Sequence, residues 1–424
     1  MATKINKSDA AIKSSQVEAM NPFAPQVPDL VCFTHLRWDF VFQRPQHLMT
    51  RWAREHRVFY VEEPVFDSNT PRLDITTRDC GVHVVVPHLP AGLQHAEYTA
   101  LQEALIQDDL FLEFGVTDYI LWYYTPMALA FTQHLEPLVL VYDCMDELSA
   151  FKNAPRDLPV LEADLLELAD VVFTGGCSLY EARCKLHKNI HPFPSSIDAN
   201  HFRSAREATE EPSDQASIPP VRLGFCGVID ERMNQQLIAE IADLRPDWQV
   251  VMIGPVVKID PAELPQRRNI HYLGARAYED LPQYFSGWQV AIMPFALNES
   301  TRFISPTKTP EYLAAGIPTI STSIRDVVHP YGQMGLVKIA DTAAAFVAEA
   351  EYLMSPHFRR QNWIREVDEF LSLSSWDRTW SRMMQLINTA VRRRYPDFID
   401  TEIMPAIQPV KKDKSAVFSP ASGD

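Results

Sequence analysis

Residues 294–316 read Pro-Phe-Ala-Leu-Asn-Glu-Ser-Thr-Arg-Phe-Ile-Ser-Pro-Thr-Lys-Thr-Pro-Glu-Tyr-Leu-Ala-Ala-Gly. An apolar run, Val290–Pro294, leads into the stretch, a polar loop fills its middle, and a helix is expected to start near Thr307–Thr309. Strand, loop and helix in that order form the repeating unit of a parallel sheet, where ligands sit beyond the carboxyl ends of the strands. The first free N–H groups of the helix, with Lys308 beside them, offer a place for an anionic group. Glu311 lies in the first turn and points back toward the same mouth. Its carboxylate can accept two hydrogen bonds at once, which suits a vicinal diol such as a ribose. A plain helix cap explains Lys308 and Glu311 equally well on residue chemistry alone.

Working outward, the same unit recurs. In the second half, Arg222–Cys226, Gln249–Ile253, Ile270–Leu273, Val290–Pro294, Pro318–Ser321 and Leu336–Ile339 read as strands. Helices near 234–244, 279–286, 308–315 and 342–354 separate them. In the first half, Leu30–Thr34, Val58–Val61, Val82–Val86, Tyr119–Tyr124, Leu138–Tyr142 and Val171–Thr174 read as strands, with helices such as Pro45–His56, Thr99–Ile106 and Leu158–Leu168 between them. Apolar strands without polar alternation, separated by helices, predict parallel sheets covered on both faces. The fold class is therefore α/β, with two doubly wound, Rossmann-like domains.

Composition sets the boundaries. A chain of 424 residues holds two or three domains, and 46% hydrophobic residues is ordinary globular usage. Residues 203–220 are polar, Pro-bearing and poor in large apolar side chains, which predicts a linker between domains at 29–202 and 221–375. Residues 1–28 lack the apolar core of a secretion signal and are expected to be a mobile leader. Residues 376–404 hold a helical segment at 376–394 with Met383, Leu386 and Ile387 on one face, expected as a core stripe or as a tie back to the first domain. Residues 405–424 are expected to be a disordered tail.

Lys and Arg number 39 against 55 Asp and Glu, a net charge of −16, which argues against broad nucleic-acid binding. No apolar run approaches the ~18 residues that span a bilayer. The six cysteines (32, 80, 144, 177, 184, 226) include no Cys-x-x-Cys pair, so a disulfide framework or structural zinc is not expected; buried free thiols in a reducing cytoplasm are. Gly-x-Ser-x-Gly, P-loop and His-Glu-x-x-His motifs are absent, which removes hydrolase, NTPase and zinc-protease readings. Neither domain carries Gly-x-Gly-x-x-Gly after its first strand, which weighs against an NAD dehydrogenase.

The 294–316 block resembles the nucleotide-sugar site of retaining GT-B glycosyltransferases of the family 4, or group 1, type. Glu311-Tyr-Leu-Ala-Ala-Gly316, followed by Pro318, is similar to that family's E-A-M-A-C-G-type motif, whose acid holds the donor ribose. The loop Ile304–Thr307, with Ser305 and Thr307, corresponds to the backbone that holds the donor diphosphate. Phe303 stands where the family usually has a second glutamate, and Asn298, Glu299 or Arg302 is the candidate to orient the donor sugar instead. The block resembles a bacterial subset that includes TuaH-like teichuronic-acid glycosyltransferases.

The likeness extends over residues 28–390. Leu223-Gly-Phe-Cys-Gly227 with Asp230-Glu-Arg232 resembles the first strand and loop of the donor domain, which implies donor contacts at Gly227 and a diphosphate-neutralising role for Arg232. His271-Tyr-Leu-Gly274 resembles the strand end whose following backbone, Ala275–Arg276, meets the base. Gly175-Gly176-Cys177-Ser178 and Pro194-Ser-Ser-Ile-Asp198 with Phe202 are similar to positional markers of the fold. The first domain would then hold the acceptor. There, Pro45 suits the first position of a helix, so His35, Arg37, Gln43 and Arg44 are expected to face the interdomain cleft and to suit a pyrophosphate-bearing acceptor or the donor phosphates. In Tyr142-Asp-Cys-Met-Asp-Glu147, Asp143 is expected at a strand's carboxyl end facing the cleft, and Asp146 either contacts the acceptor or caps the next segment.

The resemblance implies a retaining transferase moving a sugar from a nucleotide-diphosphate donor to a cell-envelope or exopolysaccharide acceptor, glycan or lipid-linked. Arg232, Lys308 and Asp143 are its expected catalytic groups. No metal and no cofactor besides the nucleotide sugar are expected, since Asp-x-x-Asp is not the metal-binding Asp-x-Asp. A cytoplasmic location is expected from the absent secretion signal and scattered thiols, and a peripheral place at the inner membrane if the acceptor is lipid-linked. The alternatives are a GT-B-like epimerase or phosphorylase, or a non-catalytic nucleotide-sugar-binding or partner protein, which Phe303 favours.

Overall fold

Two separate sheets take up the apolar runs in the computed structural model, which describes residues 27–395. The first contains β1 (Asp29–Phe33), β2 (Val58–Val61), β3 (Arg72–Thr77), β4 (Val82–His88), β5 (Tyr119–Tyr123), β6 (Val139–Cys144), β7 (Val171–Thr174) and β8 (Ile190–Pro192), in the spatial order 3-4-2-1-5-6-7-8. The second contains β9 (Arg222–Cys226), β10 (Gln249–Ile253), β11 (Ile270–Gly274), β12 (Val290–Met293), β13 (Thr319–Ser321) and β14 (Val337–Ile339), in the order 11-10-9-12-13-14. Both sheets reverse direction of growth beside their first strand, between β1 and β5 and between β9 and β12. These are the topological switch points at which doubly wound sheets open a crevice for ligands.

The parallel registers are regular except between β10 and β11, where the pairing shifts after Met252: Leu30 sits opposite Val58 on one side and Ile120 on the other, and Leu223 opposite Val250 and Val290. One strand departs from the all-parallel expectation. β3 pairs antiparallel with β4, with Arg72 opposite His88 and Thr77 opposite His83. It was not among the expected strands, and its sequence, Arg-Leu-Asp-Ile-Thr-Thr, shows why: an edge strand exposes one face and carries no continuous apolar run. β8 is only three residues long and was likewise not expected. The helix Arg360–Leu371 is a third addition, and the expected helix Thr99–Ile106 begins at His95 and runs on into a π-helical turn at Leu105–Leu112.

Residues 203–220 are not a bare polar linker. Gln215 is fully buried, donates to Tyr284 O at 2.8 Å and accepts from Trp288 Nε1 at 2.9 Å. Arg206 reaches Ala314 O at 2.8 Å and Asp368 at 2.9 Å. Polar side chains fix this segment to the second sheet's helices, which a search for apolar faces does not detect. The helix Trp376–Arg394, capped by Ser375 at Arg378 N, buries Trp376, Trp380, Met383, Met384, Ile387 and Val391 with Leu48, Trp52, Val141 and Val171 of the first sheet's core. All six cysteines are free; Cys32, Cys144 and Cys226 are buried, whereas Cys80 is exposed and Cys177 and Cys184 are half-buried, so burial covers only three of the thiols. The expected leader and tail fall almost wholly outside the described residues.

Candidate active site

The second-sheet side of the cleft is built on backbone contact between two loops. Gly254, at the end of β10, has φ +141°, and a Cβ there would lie 1.8 Å from Gly227 O. Only glycine allows that approach. Gly227 N donates to Ile253 O at 2.9 Å, and Ile229 N to Pro255 O at 2.9 Å, so the loops after β9 and β10 move as one. Arg232, on the first of these loops, is gripped by its neighbour Asp230: Nη2 donates to Oδ2 at 2.7 Å and Nε to Oδ1 at 3.0 Å.

Helix Lys308–Ala314 follows the loop after β12. Tyr312 ties it to the end of β9, its hydroxyl accepting from Cys226 N at 2.7 Å and lying 3.1 Å from Cys226 O. Lys308 Nζ donates to Glu311 Oε2 at 2.8 Å, and Lys308 Cε lies 3.5 Å from where a Cβ on Gly227 would stand. Gly227, Lys308 and Glu311 thus meet beyond the β9/β12 switch point. Glu311 is almost fully buried, yet its Oε1 has no hydrogen-bond partner among the described residues. Nearby, the Tyr278 hydroxyl is also buried and unpaired; burial first, and the charge of Glu311 second, raise its pKa. The Tyr278 ring is stacked on His201 at 4.3 Å and leans on Phe42 of the first domain at 4.7 Å.

The loop before the helix divides the expected donor contacts. Ser305 O accepts from Ser195 Oγ at 2.9 Å, so the first domain touches this loop directly, and Thr307 opens the helix. Asn298 does not face a ligand: its Oδ1 accepts from Ser300 N at 3.0 Å and closes a local turn. Arg302 is exposed, 3.5 Å from Glu299 and over the Phe303 ring at 5.1 Å. Neither therefore stands in for the family's second glutamate. Phe303 itself packs among apolar side chains of the first domain, so that position makes an interdomain contact.

On the first-sheet side, two expectations are corrected. Asp143 is fully buried, and Arg44 binds it with both arms, Nε to Oδ2 at 2.9 Å and Nη2 to Oδ1 at 2.7 Å, while Nη1 donates to Phe193 O at 2.7 Å. Neither presents a free polar atom to the cleft. Burying a carboxylate is costly without a matched partner, and a bidentate guanidinium provides it. Arg37 is also spent, donating to Glu62 at 2.8 Å, Glu63 O at 2.6 Å and Pro64 O at 3.3 Å. Gln43 N donates to Gln46 Oε1 at 3.1 Å at the start of helix Arg44–Trp52, with Pro45 in its first turn.

Two groups remain open. His35 Nδ1 is buried and unpaired, and burial, with the charge of Lys258, lowers its pKa to about 4, so the ring is neutral near pH 7. The Asp146 carboxylate has no hydrogen-bond partner among the described residues; only its backbone carbonyl accepts, from Cys144 Sγ at 3.7 Å. Burial raises its pKa to about 6, against the pull of Arg232, Arg44 and Lys258. Asp146, rather than Asp143, is the carboxylate available to a ligand.

Sequence reasoning missed Tyr278, Phe151 and Lys258. Phe151 follows Asp146 on the loop after β6, and its ring carries Arg232 at 5.4 Å and Lys258 at 4.6 Å. The rule that ligand-facing residues follow strand ends admits Lys258, which stands four residues past Gly254; no motif marks the other two. Among the described residues there is no cluster of three or more His, Cys, Asp or Glu side chains able to hold a metal ion, and no helix is long and apolar enough to cross a membrane.

Comparison with known proteins bears on the fold and on the second domain's sequence. Residues 220–355 match the family model described as Glycosyl transferases group 1. The putative teichuronic acid biosynthesis glycosyltransferase TuaH of Bacillus subtilis (strain 168) is 25% identical over 203 residues, 44% of this chain and 50% of that protein. The match thus spans half the length of that relative. Among solved structures, sucrose-phosphate synthase from Thermosynechococcus elongatus superimposes with a TM-score of 0.63 at 15% identity, covering 85% of this chain and 98% of that one. The α,α-trehalose 6-phosphate synthase from Burkholderia multivorans gives 0.61 at 12% identity, over 88% and 99%. Anabaena Alr3699/HepE, in complex with UDP and glucose, gives 0.60 at 12% identity, over 85% and 99%. The chain therefore has the two-domain GT-B fold, and its residues 220–355 are similar to the group 1 glycosyltransferases.

Proposed function

We propose that this protein is a retaining, metal-independent glycosyltransferase that takes a sugar from a nucleotide-diphosphate donor and delivers it to a cell-envelope or exopolysaccharide acceptor, glycan or lipid-linked, at the cytoplasmic side of the membrane. The observation that carries the reading is Glu311, buried at the β9/β12 switch point, held by Lys308 through one oxygen and open at the other. The open oxygen and the unpaired Tyr278 hydroxyl are suited to a ribose diol. Arg232, Lys308 and the backbone of Ser305–Thr307 then lie where the leaving diphosphate develops charge, and positive groups placed there lower the barrier. The acceptor hydroxyl enters from the first-domain side, where Asp146 can receive a hydrogen bond from it. Contacts between the two domains at Phe303, Ser195 and Phe151 exclude water that would hydrolyse the donor.

A thermal-shift screen against UDP, GDP, dTDP, ADP and CDP, without added metal, tests this. One nucleoside diphosphate at 100 times its Kd should raise the transition by a few degrees, a stabilisation of ~2.7 kcal/mol. Glu311→Ala should weaken that ligand at least ~10-fold, and Arg232→Ala should lower turnover by a similar factor. A folded protein indifferent to every nucleotide would overturn the reading.

A further inference from the structure

Among the cations bordering the cleft, Arg37, Arg44, Arg232 and Lys308 each hold a carboxylate: Glu62, Asp143, Asp230 and Glu311. Lys258 is different. It has no carboxylate partner among the described residues, and its ammonium rests over the Phe151 ring, 4.6 Å from the centroid. Its backbone is left-handed, φ +62°, a conformation that is costly for a side chain with a Cβ. The turn is held in place because Val257 N donates to Ile229 O at 3.0 Å and Val256 bridges Ile229, which joins it to the loop bearing Arg232. Strain kept at a cleft by surrounding structure points to a use.

The surroundings say which use. Arg232 lies over the same ring, so two positive groups of the second domain converge on one aromatic side chain of the first. His35 and Asp146, the two open groups of the first-domain wall, both feel the charge of Lys258. An exposed cation–π contact is weaker than a charge-assisted hydrogen bond to phosphate. Lys258 can therefore leave Phe151 for an incoming anion at little cost, whereas Arg44 cannot leave the buried Asp143.

We propose that Lys258 is a substrate-binding residue that exchanges the Phe151 ring for a phosphate oxygen when substrate enters the cleft. The inference rests on reading this cleft as the sugar-transfer site. The phosphate belongs either to the donor's diphosphate or to a phosphorylated acceptor.

Calorimetric titration of the full chain with the five nucleoside diphosphates, inorganic pyrophosphate and glucose 6-phosphate, on wild type, Lys258→Gln and Lys258→Arg, tests it. If the donor is the source, Lys258→Gln weakens the best nucleoside diphosphate about 10-fold, moves the parent nucleoside less than twofold, and Lys258→Arg restores most of the loss. If the acceptor is the source, nucleotide affinity stays and glucose 6-phosphate affinity falls. Unchanged affinity of Lys258→Gln for every phosphate that wild type binds overturns the proposal. Lys258-dependent pyrophosphate binding without any nucleotide binding would refute the sugar-transfer reading and keep the phosphate site; wild type silent to every phosphate refutes both. Phe151→Leu should bind phosphate as well as wild type or better, and a loss as large as that of Lys258→Gln would overturn the exchange.

Discussion

The two walls of the cleft use charge in opposite ways. On the first-domain wall, Arg44 and Asp143 are 99 residues apart in sequence and only 3% and 0% exposed, and Arg44 also holds Phe193 O. That one guanidinium joins the start of a helix, the end of β6 and the segment after β8. On the second-domain wall, Lys308 and Glu311 are three residues apart, and Asp230 and Arg232 two. A pair within one turn can open toward a ligand without moving any other element. A pair between distant elements cannot open without loosening the fold. Charge is architecture on one wall and available for binding on the other.

The sharpest way to break this comparison is to remove one arginine from each wall. Arg44→Met leaves a fully buried carboxylate alone and should cost about 3–5 kcal/mol of stability, read by urea unfolding. Arg44→Met with Asp143→Leu should recover most of the loss, because the isolated charge, rather than the missing pair, is the penalty. Arg232→Met takes from the buried Asp230 a partner that is itself only half-buried, and should cost less than Arg44→Met while impairing nucleotide binding. Equal losses from Arg44→Met and Arg232→Met would remove the distinction between the walls.

The same distinction explains what could be read from the sequence. Lys308 and Glu311 were legible because one helical turn brings them together, and spacing alone reports that. Strands such as Val58–Val61 and Val290–Met293 were legible because burial on both faces demands a continuous apolar run. The Arg44–Asp143 pair was not: each residue was placed correctly near a strand or helix end, but their union depends on β1 and β6 lying in one sheet, which no local pattern encodes. Gln215 and Arg206, inside the expected linker, were not legible as anchors because polar anchoring leaves no apolar signature. Tyr278 and Phe151 gain their meaning from partners on the other domain.

A smaller effect sharpens the first wall further, at its one open carboxylate. Asp146 is pushed up to about pH 6 chiefly by burial, so its ionised form is the disfavoured one in the fold. Activity that needs the carboxylate should rise as pH passes through about 6, and Asp146→Asn should lose both that rise and roughly 10-fold in kcat/KM. Stability runs the other way. A raised carboxyl pKa contributes stability below its unfolded value that is lost as pH rises through the folded value. Asp146→Asn should therefore melt higher than wild type at pH 8 and alike at pH 4. An Asn variant with an unchanged pH–rate profile would return the acid role to another group.

The smallest effect concerns a charge that crosses between the walls. Asp326, on the second domain, accepts from Ser178 N of the first at 3.0 Å, and a Cβ on Gly176 would lie 2.1 Å from Asp326 Oδ2. Burial is the main cause that raises the Asp326 pKa, and the Ser178 hydrogen bond only partly offsets it. The bond and the charge can be separated, because asparagine keeps an acceptor at Oδ1 and has no charge. If the hydrogen bond is what matters, Asp326→Asn should stay within about 1 kcal/mol of wild type, gain on it at pH 8 and lose that gain at pH 4 as the wild-type carboxyl takes a proton. If the negative charge at the start of helix Cys177–Arg183 is what matters, Asp326→Asn should instead fall below wild type at pH 8. The sign of one melting difference thus decides whether this interdomain contact belongs with the architectural pairs of the first wall or with the exchangeable ones of the second.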